Sequence, residues 1–524
     1  MQRIADYHHS HTWPTRWRRQ FHTRRPSIAL ALCALAGLSL AATRSAMAQQ
    51  YGGQPQRMQP AQGAGYDNYD DYETLTRGPL HEAFAEPISF NPEPGPLAPV
   101  APPDPIPEVP PDYRPDGYNV QWIPGYWIWD DDINDYLWVS GIWRDIPPGR
   151  EWVSGYWIQS YNGYRWIPGF WNQTNQSQTV YLPEPPVSVE TGPNYQAAPS
   201  PDHLWISGSW IWSNNRYSWR PGYWIPGRRD WVWVPAHYTW TPRGYVFVDG
   251  YWDYDVDRRG VLFAPVRFQK RVYGRPQFRY SPRIVVDLRT LTDHLFLRPK
   301  GYHYYFGDYF DEGYQRRGYR PWFSAAASSR VYDPIYAHRR WVHRNDRDWD
   351  NRLRNDFDRR RRDINARPSH TWRQQRDYRR DHSASDRLKT AIGKTLTQIV
   401  NRKHDNKEFK RVDDQERREL ERRRQDVDRI RSQRRQAESR NDGKAQDHRY
   451  RTRTVPAHQP KINTPFRAKE DDKKVNPPKR PTRPEVKRDV TPRRRSHDNR
   501  KHDDKKKDDK KKDDDKKMTK KPRR

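Results

Sequence analysis

Residues 152–171 read WVSGYWIQSYNGYRWIPGFW, and this stretch decides the fold of the chain. It holds two copies of the pattern W-x-x-G-x-W, the first beginning at Trp152 and the second at Trp166. Side chains two residues apart in a strand share one face, so the alternating aromatic residues predict short strands with an aromatic ladder on one face. Asn162-Gly163, which lies between the two copies, favours a two-residue β-hairpin turn.

This turn sets the expected register of the hairpin. With the Asn-Gly pair at its tip, Tyr161 pairs with Tyr164, and Trp157 pairs with Pro168. Trp157 and Trp166 then become diagonal neighbours on one face. Cross-strand aromatic pairs contribute about 0.5–1 kcal/mol each, so they are expected to stabilise the hairpin.

The pattern recurs in two groups of four copies. The second aromatic residue of each copy follows that of the previous copy by 14 residues in five intervals and by 16 in one, and 39 residues separate the groups. A fixed period predicts copies that pack on their neighbours. The predicted structural anchors are Trp122, Trp127, Trp138, Trp143, Trp152, Trp157, Trp166, Trp171, Trp205, Trp210, Trp219, Trp224, Trp233 and Trp252.

Proline precedes the glycine in several copies, as at 124–125, 168–169 and 221–222. Such a pair suits a type II turn, whose twist matches a tight hairpin poorly. We therefore expect a kinked or wider corner at these glycines. The whole pattern predicts a mainly β fold: an antiparallel meander of short aromatic hairpins, followed by charged helical segments and a disordered basic tail.

Two roles are open for the tryptophans. A single copy is too short to bury a core, so most anchors are expected to stack on neighbouring copies. Trp129, Trp212 and Trp240 lie outside the two anchor positions and are candidate platforms for the apolar faces of sugar rings.

The repeat resembles the YXWGXW repeat of exported bacterial proteins. Several copies carry the additional aromatic residue two positions before the first anchor, as Tyr164 precedes Trp166. The resemblance covers about a quarter of the chain. It implies export and a repeat architecture but little about activity.

Composition limits the class of protein. Of 524 residues, 33% are hydrophobic, 31% are charged and 47 are proline, so the chain cannot bury a core along its whole length. This excludes a membrane transporter, a disulfide-stapled secreted module and a conventional large enzyme. No residue is marked as catalytic, and no cofactor is predicted.

Charge is concentrated at the C-terminal side. Residues 331–524 hold 64 Lys+Arg against 35 Asp+Glu, whereas residues 49–330 hold 26 against 30. A polycation binds acidic polymers through counterion release, in a salt-sensitive way. The alternative is a solvated tail that binds nothing in particular.

The N-terminal residues have the order of a secretory signal peptide. Five arginines lie between residues 16 and 25, an apolar run covers 28–42, and Ala46-Met47-Ala48 provides a small-x-small cleavage pattern before Gln49. A retained membrane anchor is the alternative. Because Cys33 is the only cysteine, the cleaved chain would contain no thiol.

Metal sites are not predicted. The triplets 130/132/134 and 253/255/257 resemble the start of a calcium loop, but Asp135 and Arg258 stand where that loop needs glycine. Solvated acidic turns explain these triplets better.

The expected layout has six parts. They are a signal peptide (1–48), a disordered Pro-rich spacer (49–116), the repeat region (117–258), a β-rich cap or extension (259–330), charged helices with a potential coiled coil (331–440) and a disordered Lys/Arg/Asp-rich tail (441–524).

Three functions are compatible with this layout. The first is a non-enzymatic protein of the bacterial periplasm or cell envelope, whose residues 331–524 bind acidic envelope polymers or an anionic membrane surface. The second is a glycan-binding module for peptidoglycan or exopolysaccharide. The third is nucleic-acid binding through the basic segment, which export disfavours. Self-association is compatible with all three.

Overall fold

The computed structural model describes residues 71–439, apart from 177, 191, 194–196, 277, 299–302, 328–330, 382–390 and 402–407. The described residues all belong to the unit Tyr66–Arg524. The predicted signal peptide and basic tail lie outside the described residues.

The eight repeat copies form four kinked β-hairpins, each built from two copies. We name them hairpins A (120–145), B (150–173), C (203–226) and D (231–254), and each has two inner and two outer strands. The inner strands are Tyr126–Asp130 and Asp135–Val139 (A), Tyr156–Ser160 and Gly163–Ile167 (B), Ser209–Ser213 and Arg216–Arg220 (C), and His237–Thr241 and Gly244–Val248 (D). The outer strands are Val120–Ile123 and Ile142–Asp145 (A), Arg150–Val153 and Phe170–Gln173 (B), His203–Ile206 and Tyr223–Pro226 (C), and Trp231–Val234 and Tyr251–Tyr254 (D).

The kinked corners at the glycines are confirmed. In every hairpin the two inner strands pair with each other and the two outer strands pair with each other, and the two pairs belong to separate sheets. The chain therefore bends at each glycine instead of turning back. This nested pairing replaces the simple meander order expected from the sequence, while the antiparallel short strands are as predicted.

The predicted register of hairpin B is wrong by one position in each strand. Trp157 lies directly opposite Trp166, and Ser160 opposite Gly163, so Tyr161 and Asn162 form the tip. Gly163 has φ +134°, a conformation that favours glycine. The glycine is therefore the first residue of the returning strand, and the Trp pair is direct rather than diagonal.

The hairpins make a row in the order A, B, D, C. The indole Nε1 of Trp157 donates to the carbonyl of Trp127 over 2.8 Å, which joins B to A. The guanidinium of Arg165 in B lies 5.9 Å from the ring centre of Trp240 in D. The hydroxyl of Tyr238 in D donates to the carbonyl of Trp210 in C.

The disordered spacer prediction is wrong for residues 71–116, which are part of the fold. Leu80, Phe84 and Ile88 are buried in the main core. Proline removes backbone donors without preventing short pairings at the edges of other sheets. The strands of this segment are Tyr72–Thr74, Gly78–Pro79, Ile88–Ser89, Leu97–Ala98 and Tyr113–Pro115.

Residues after hairpin D extend the repeat sheets. Gly260–Leu262 pairs with the outer strand Ile142–Asp145 of hairpin A, and Val266–Phe268 pairs with Tyr72–Thr74 and contacts Trp138. The remaining described strands are Tyr181–Leu182, Ile284–Val286, Leu295–Arg298, His303–Phe306, Arg320–Pro321, Val331–Tyr332, Gly393–Thr395 and Phe409–Arg411.

Helices follow mainly after residue 330. The α-helices are Lys270–Tyr273, Leu288–Leu291, Glu312–Arg316, Pro334–Val342, Trp349–Arg362, Trp372–Asp381, Leu396–Val400 and Asp414–Ser439, and the 3₁₀ helices are Val256–Arg258, Thr292–His294, Trp322–Ala327 and Ile364–Ala366. We name Asp414–Ser439 the C-terminal helix. Its Val427 lies in the main core, and its Leu420 clusters with Trp122 and Trp143 of hairpin A. The apolar stripe that suggested a coiled coil therefore packs on the repeats, and the mainly β class is confirmed.

Candidate functional site: the glycine corners

Aromatic anchors pair across the strands of each hairpin. Trp122 lies opposite Trp143, and Trp127 opposite Trp138, with ring centres 5.2 and 5.1 Å apart in edge-to-face geometry. The same pairing occurs in the other hairpins at ring distances of 5.1 to 5.6 Å. Such pairs contribute about 0.5–1.5 kcal/mol each beyond the burial of their area.

The first tryptophan of each copy lies over the glycine of the other copy in its hairpin. A Cβ at Gly169 would lie 2.3 Å from Cζ2 of Trp152, and a Cβ at Gly155 would lie 2.4 Å from Cζ2 of Trp166. Real Cβ atoms do not approach so closely. The spacing between tryptophan and glycine in the repeat thus reflects contact between two copies, because each copy supplies an indole and receives one.

The degenerate copies obey the same rule. In hairpin D the position that corresponds to a corner glycine is Ala236, and the aromatic residue that corresponds to its covering tryptophan is Phe247. The smaller ring leaves room for a methyl group. Trp233, at the other first position, faces Gly250, where a Cβ would lie 2.6 Å from Cζ2 of the indole.

Buried glutamates bind the amide groups of the corners. In hairpin A, Glu108 Oε2 accepts from the N–H of Gly125 over 2.7 Å, and Oε1 accepts from the N–H of Gly141 over 2.9 Å. The indole Nε1 of Trp138 donates to the same carboxyl over 3.2 Å. Glu108 therefore joins both copies of the hairpin from one side of the corner.

Hairpins B and C contain the same arrangement. Glu82 accepts from the N–H of Gly169 over 3.1 Å and from Trp166 Nε1 over 3.2 Å. In hairpin C, Glu190 accepts from the N–H of Gly208 and from a tryptophan Nε1. Hairpin D differs, because the N–H of Gly250 donates to the side chain of the adjacent aspartate.

Burial shifts the protonation of two corner carboxyls. Loss of water raises the pKa of both Glu82 and Glu108 to about 7, although the glycine and indole donors favour the ionised form. Each folded-state pKa lies above the value of an unfolded chain. The stability that these carboxyls contribute is therefore present in full below pH 4.5 and is lost as the pH rises through 7.

Infrared spectroscopy tests this titration. We expect the difference between the spectra of the wild type and Glu108→Gln to contain a protonated-carboxyl band that disappears with a midpoint near pH 7. Glu312→Gln, which removes an exposed side chain, should leave the band near pH 7 unchanged. A midpoint between pH 4 and 5 for the Glu108 band would contradict the burial argument.

Guanidinium groups bind the opposite side of the corners. Arg434 of the C-terminal helix donates from Nη1 to the carbonyls of Ser154 and Pro168, over 3.0 and 2.9 Å. These residues immediately precede the two corner glycines of hairpin B. The guanidinium also lies 5.2 Å from the ring centre of Tyr156 and 5.0 Å from that of Phe170. The aromatic residues after the glycines thus complete a cage for a planar cation.

An ion pair fixes Arg434 in this cage. Its Nε lies 2.9 Å from Glu438 Oε1, and both side chains are fully buried. The other glutamate oxygen accepts from Tyr156 over 2.6 Å, and Oε1 also accepts from Tyr181 over 2.9 Å. The helix therefore docks on hairpin B through a satisfied polar network as well as through apolar contacts.

Two other hairpins receive cations or imidazoles on their carbonyl side. In hairpin A, Arg431 Nη2 contacts the carbonyl of Gly125 over 3.4 Å, and a histidine contacts that of Pro124. In hairpin D, Arg150 Nη2 donates to the carbonyls of Asp249 and Gly250 over 2.9 and 3.0 Å. The guanidinium of Arg150 lies over the ring of the tyrosine that follows this glycine.

The proposed sugar platforms have different surroundings. Trp129 is only 7% exposed and lies edge-to-face with Tyr136, so it does not present a free ring face. Trp212 is half-buried against Tyr217, and Trp240 is half-buried beside Arg165. The structure does not bring these three residues together at one surface, because they lie on hairpins A, C and D.

The predicted anchors are distributed unevenly. Those of hairpins A and D are buried, as are those of hairpin B apart from the half-buried Trp157. The four anchors of hairpin C are all half-buried. Hairpin C is thus the most open member of the row.

Acidic clusters bind arginines rather than a metal. Asp253, which begins one of the calcium-like triplets, receives Arg144 Nη2 at 2.6 and 2.7 Å and lies 3.1 Å from Arg259 Nε. Within the described ranges, no group of histidine, cysteine, aspartate and glutamate has the geometry of a metal site. In that same part of the chain, each helix is too short or too polar to cross a lipid bilayer.

Sequence reasoning missed the corner glutamates and arginines. The glutamates lie in stretches that composition marks as a spacer or a break between the groups. One signal was present, since Glu108 precedes Gly125 by 17 residues and Glu190 precedes Gly208 by 18. The arginines had no such signal, because they lie among many others in the C-terminal helix.

Comparison with known proteins gives one match. A family model described as "WXXGXW repeat (2 copies)" matches residues 117–144, 163–178, 201–224 and 228–253. Neither the curated proteins nor the solved structures contain a match to this chain.

Proposed function

Because this chain is a WXXGXW-repeat protein, we propose that it is an exported, non-enzymatic protein of the bacterial cell envelope. Its hairpin row acts as a rigid scaffold, and its basic C-terminal segment binds acidic envelope polymers. The order of arginines, apolar run and Ala46-Met47-Ala48 supports export. The buried glutamates and arginines of the corners support a scaffold role, since they bind the backbone of the hairpins.

The uneven distribution of charge carries the binding proposal. Residues 331–440 hold 33 basic against 20 acidic side chains, and arginines of this part form ion pairs such as those of Arg360 with Asp293 and Arg434 with Glu438. Residues 441–524 hold 31 basic against 15 acidic side chains. This excess favours acidic polysaccharide or lipid phosphate through counterion release.

Salt titration of the full chain tests this binding. The probe is polygalacturonate, an acidic polysaccharide, with neutral dextran for comparison. We expect replacement of eight lysines by glutamine to weaken binding about tenfold or more at low salt and to reduce the salt dependence of Kd, because fewer counterions are released. The eight residues are Lys505, Lys506, Lys507, Lys510, Lys511, Lys512, Lys516 and Lys517.

A charge-conserving variant is the matched control. Replacement of the same eight lysines by arginine should leave Kd within about threefold of the wild type, since the charge is unchanged. Equal binding by the glutamine variant, or a Kd that does not rise with salt, would exclude this segment as the binding element.

The export proposal has its own test. Envelope and cytosolic fractions are separated, and the N-terminus of the protein is determined by mass spectrometry. We expect a chain that begins at Gln49 in the envelope fraction. A chain that begins at Met1 in the cytosol would contradict export and favour nucleic acid as the partner.

A further inference from the structure

Each corner has two chemically different sides. A trans peptide unit directs its N–H and C=O to opposite sides of the chain. The peptide units that precede the two corner glycines of a hairpin therefore offer donors on one side and acceptors on the other. In hairpin B, Glu82 occupies the donor side and Arg434 occupies the acceptor side.

This arrangement suits a guanidinium on the acceptor side. Two carbonyls close together match the planar fork of arginine better than the compact ammonium of lysine. A carboxylate across the same peptide units polarises them further, which strengthens the hydrogen bonds to the cation. Hairpins A and D follow the pattern with Arg431 and Arg150.

Hairpin C has the same corner but a different occupancy. Glu190 binds the N–H of Gly208 on the donor side. On the acceptor side lie the carbonyls of Ser207 and Pro221, which correspond to those that bind Arg434 in hairpin B. No donor among the described residues bonds to either carbonyl, and Pro221 is exposed. The nearby Arg220 donates to the hydroxyl of Ser209 instead.

The C-terminal helix leads towards this corner. Its Arg431 contacts hairpin A, its Arg434 contacts hairpin B, and the carbonyl of its Ala437 accepts from Arg243 of hairpin D over 2.9 Å. The helix thus touches the row in the order A, B, D, and hairpin C is next. The helix ends at Ser439, beside hairpin D.

We propose that the acceptor side of the corner in hairpin C is a guanidinium-binding site, and that an arginine from residues 440–453 of the same chain occupies it. Arg440, Arg449, Arg451 and Arg453 are the candidates. A segment of 14 residues can extend over about 45 Å, which is ample for a neighbouring hairpin. This site clasps the end of the hairpin row, and it is independent of the lysines proposed to bind polymers.

Photo-crosslinking of the full chain tests the site. A benzophenone amino acid replaces Pro221 beside the corner, and in a matched control it replaces Tyr161, which is 92% exposed at the tip of hairpin B. We expect cross-links from position 221 to peptides of residues 440–453 to be about tenfold more abundant than those from position 161, because two carbonyl bonds favour this placement. Equal abundance at both positions would overturn the proposal.

Two further arms identify the chemistry and the source. Replacement of the four candidate arginines by glutamine should reduce the cross-links at position 221 about fivefold or more, whereas replacement by lysine should restore only part of them, because a point charge lacks the fork. Full cross-linking by the glutamine variant would refute a guanidinium site. In a mixture of ¹⁵N-labelled and unlabelled chains, cross-links within one chain are expected, and mixed cross-links would overturn the assignment to the same chain.

Discussion

The variant Gly169→Ala is expected to destabilise the fold by about 3 kcal/mol, at the upper end of the range for overpacked sites. Its new methyl group would lie 2.3 Å from Cζ2 of Trp152 and 2.7 Å from the carbonyl oxygen of Val153. Relief of both contacts requires movement of a fully buried indole and of the backbone that binds Arg434. Urea denaturation monitored by tryptophan fluorescence measures the change.

The control for this prediction is Gly274→Ala. Gly274 has φ −96°, and a Cβ there would meet no atom within 4 Å. We expect a change of less than about 0.5 kcal/mol, as at other unconstrained surface sites. Similar losses of stability in the two variants would mean that crowding at the corner does not explain the repeat glycine.

The variant Arg434→Met is expected to destabilise the fold by about 3–5 kcal/mol, the range for breaking one partner of a buried ion pair. The change leaves Glu438 buried without its cation and removes two hydrogen bonds from the corner carbonyls of hairpin B. Methionine keeps the length and much of the volume of the side chain. The loss of stability therefore reports the charge and its bonds rather than a cavity.

An exposed pair on the same helix is the matched control. Arg429 lies 2.6 Å from Asp426, and its side chain is 63% exposed. Arg429→Met should change stability by less than about 1 kcal/mol, because solvent screens such pairs. If Arg434→Met were equally mild, the C-terminal helix would not be anchored at the corner.

The hairpins were predictable because their signal is local. The spacing of the tryptophans, the Pro-Gly pairs and the Asn-Gly tip lie within one copy or between neighbours. The register of hairpin B was missed because Gly163 is needed at the start of the returning strand, where its φ is +134°. Propensity for a type I′ turn does not reveal that requirement, which depends on the pairing of Ser160 with Gly163.

The parts that composition labelled as spacer and tail were not predictable in the same way. Residues 71–116 have few apolar side chains, but Phe84 and Ile88 reach the core, and Glu82 and Glu108 bind corners far along the chain. The C-terminal helix is similarly polar, yet Arg434 is buried because a counter-ion and two carbonyls await it. Average polarity does not report such partners, since they come from segments distant in sequence.

The corner amide groups also account for the candidate site. A repeat motif predicts which residues recur but not what binds to their backbone. Peptide units that bind a carboxylate on one side and a guanidinium on the other become visible only when three segments meet. In hairpin B these segments supply Glu82, the two glycines 155 and 169, and Arg434.

The central claim is that the glycine of one copy is required by the tryptophan of the other copy. A double-mutant cycle between Trp233 and Gly250 tests it most directly, because the indole is the only close neighbour of a Cβ at this glycine within 3 Å. Hairpin D already combines Phe247 with Ala236 at the corresponding positions. We predict that Gly250→Ala destabilises the wild type by about 2–3 kcal/mol but the Trp233→Phe variant by less than about 1 kcal/mol. An equal loss of stability in both backgrounds would contradict the account.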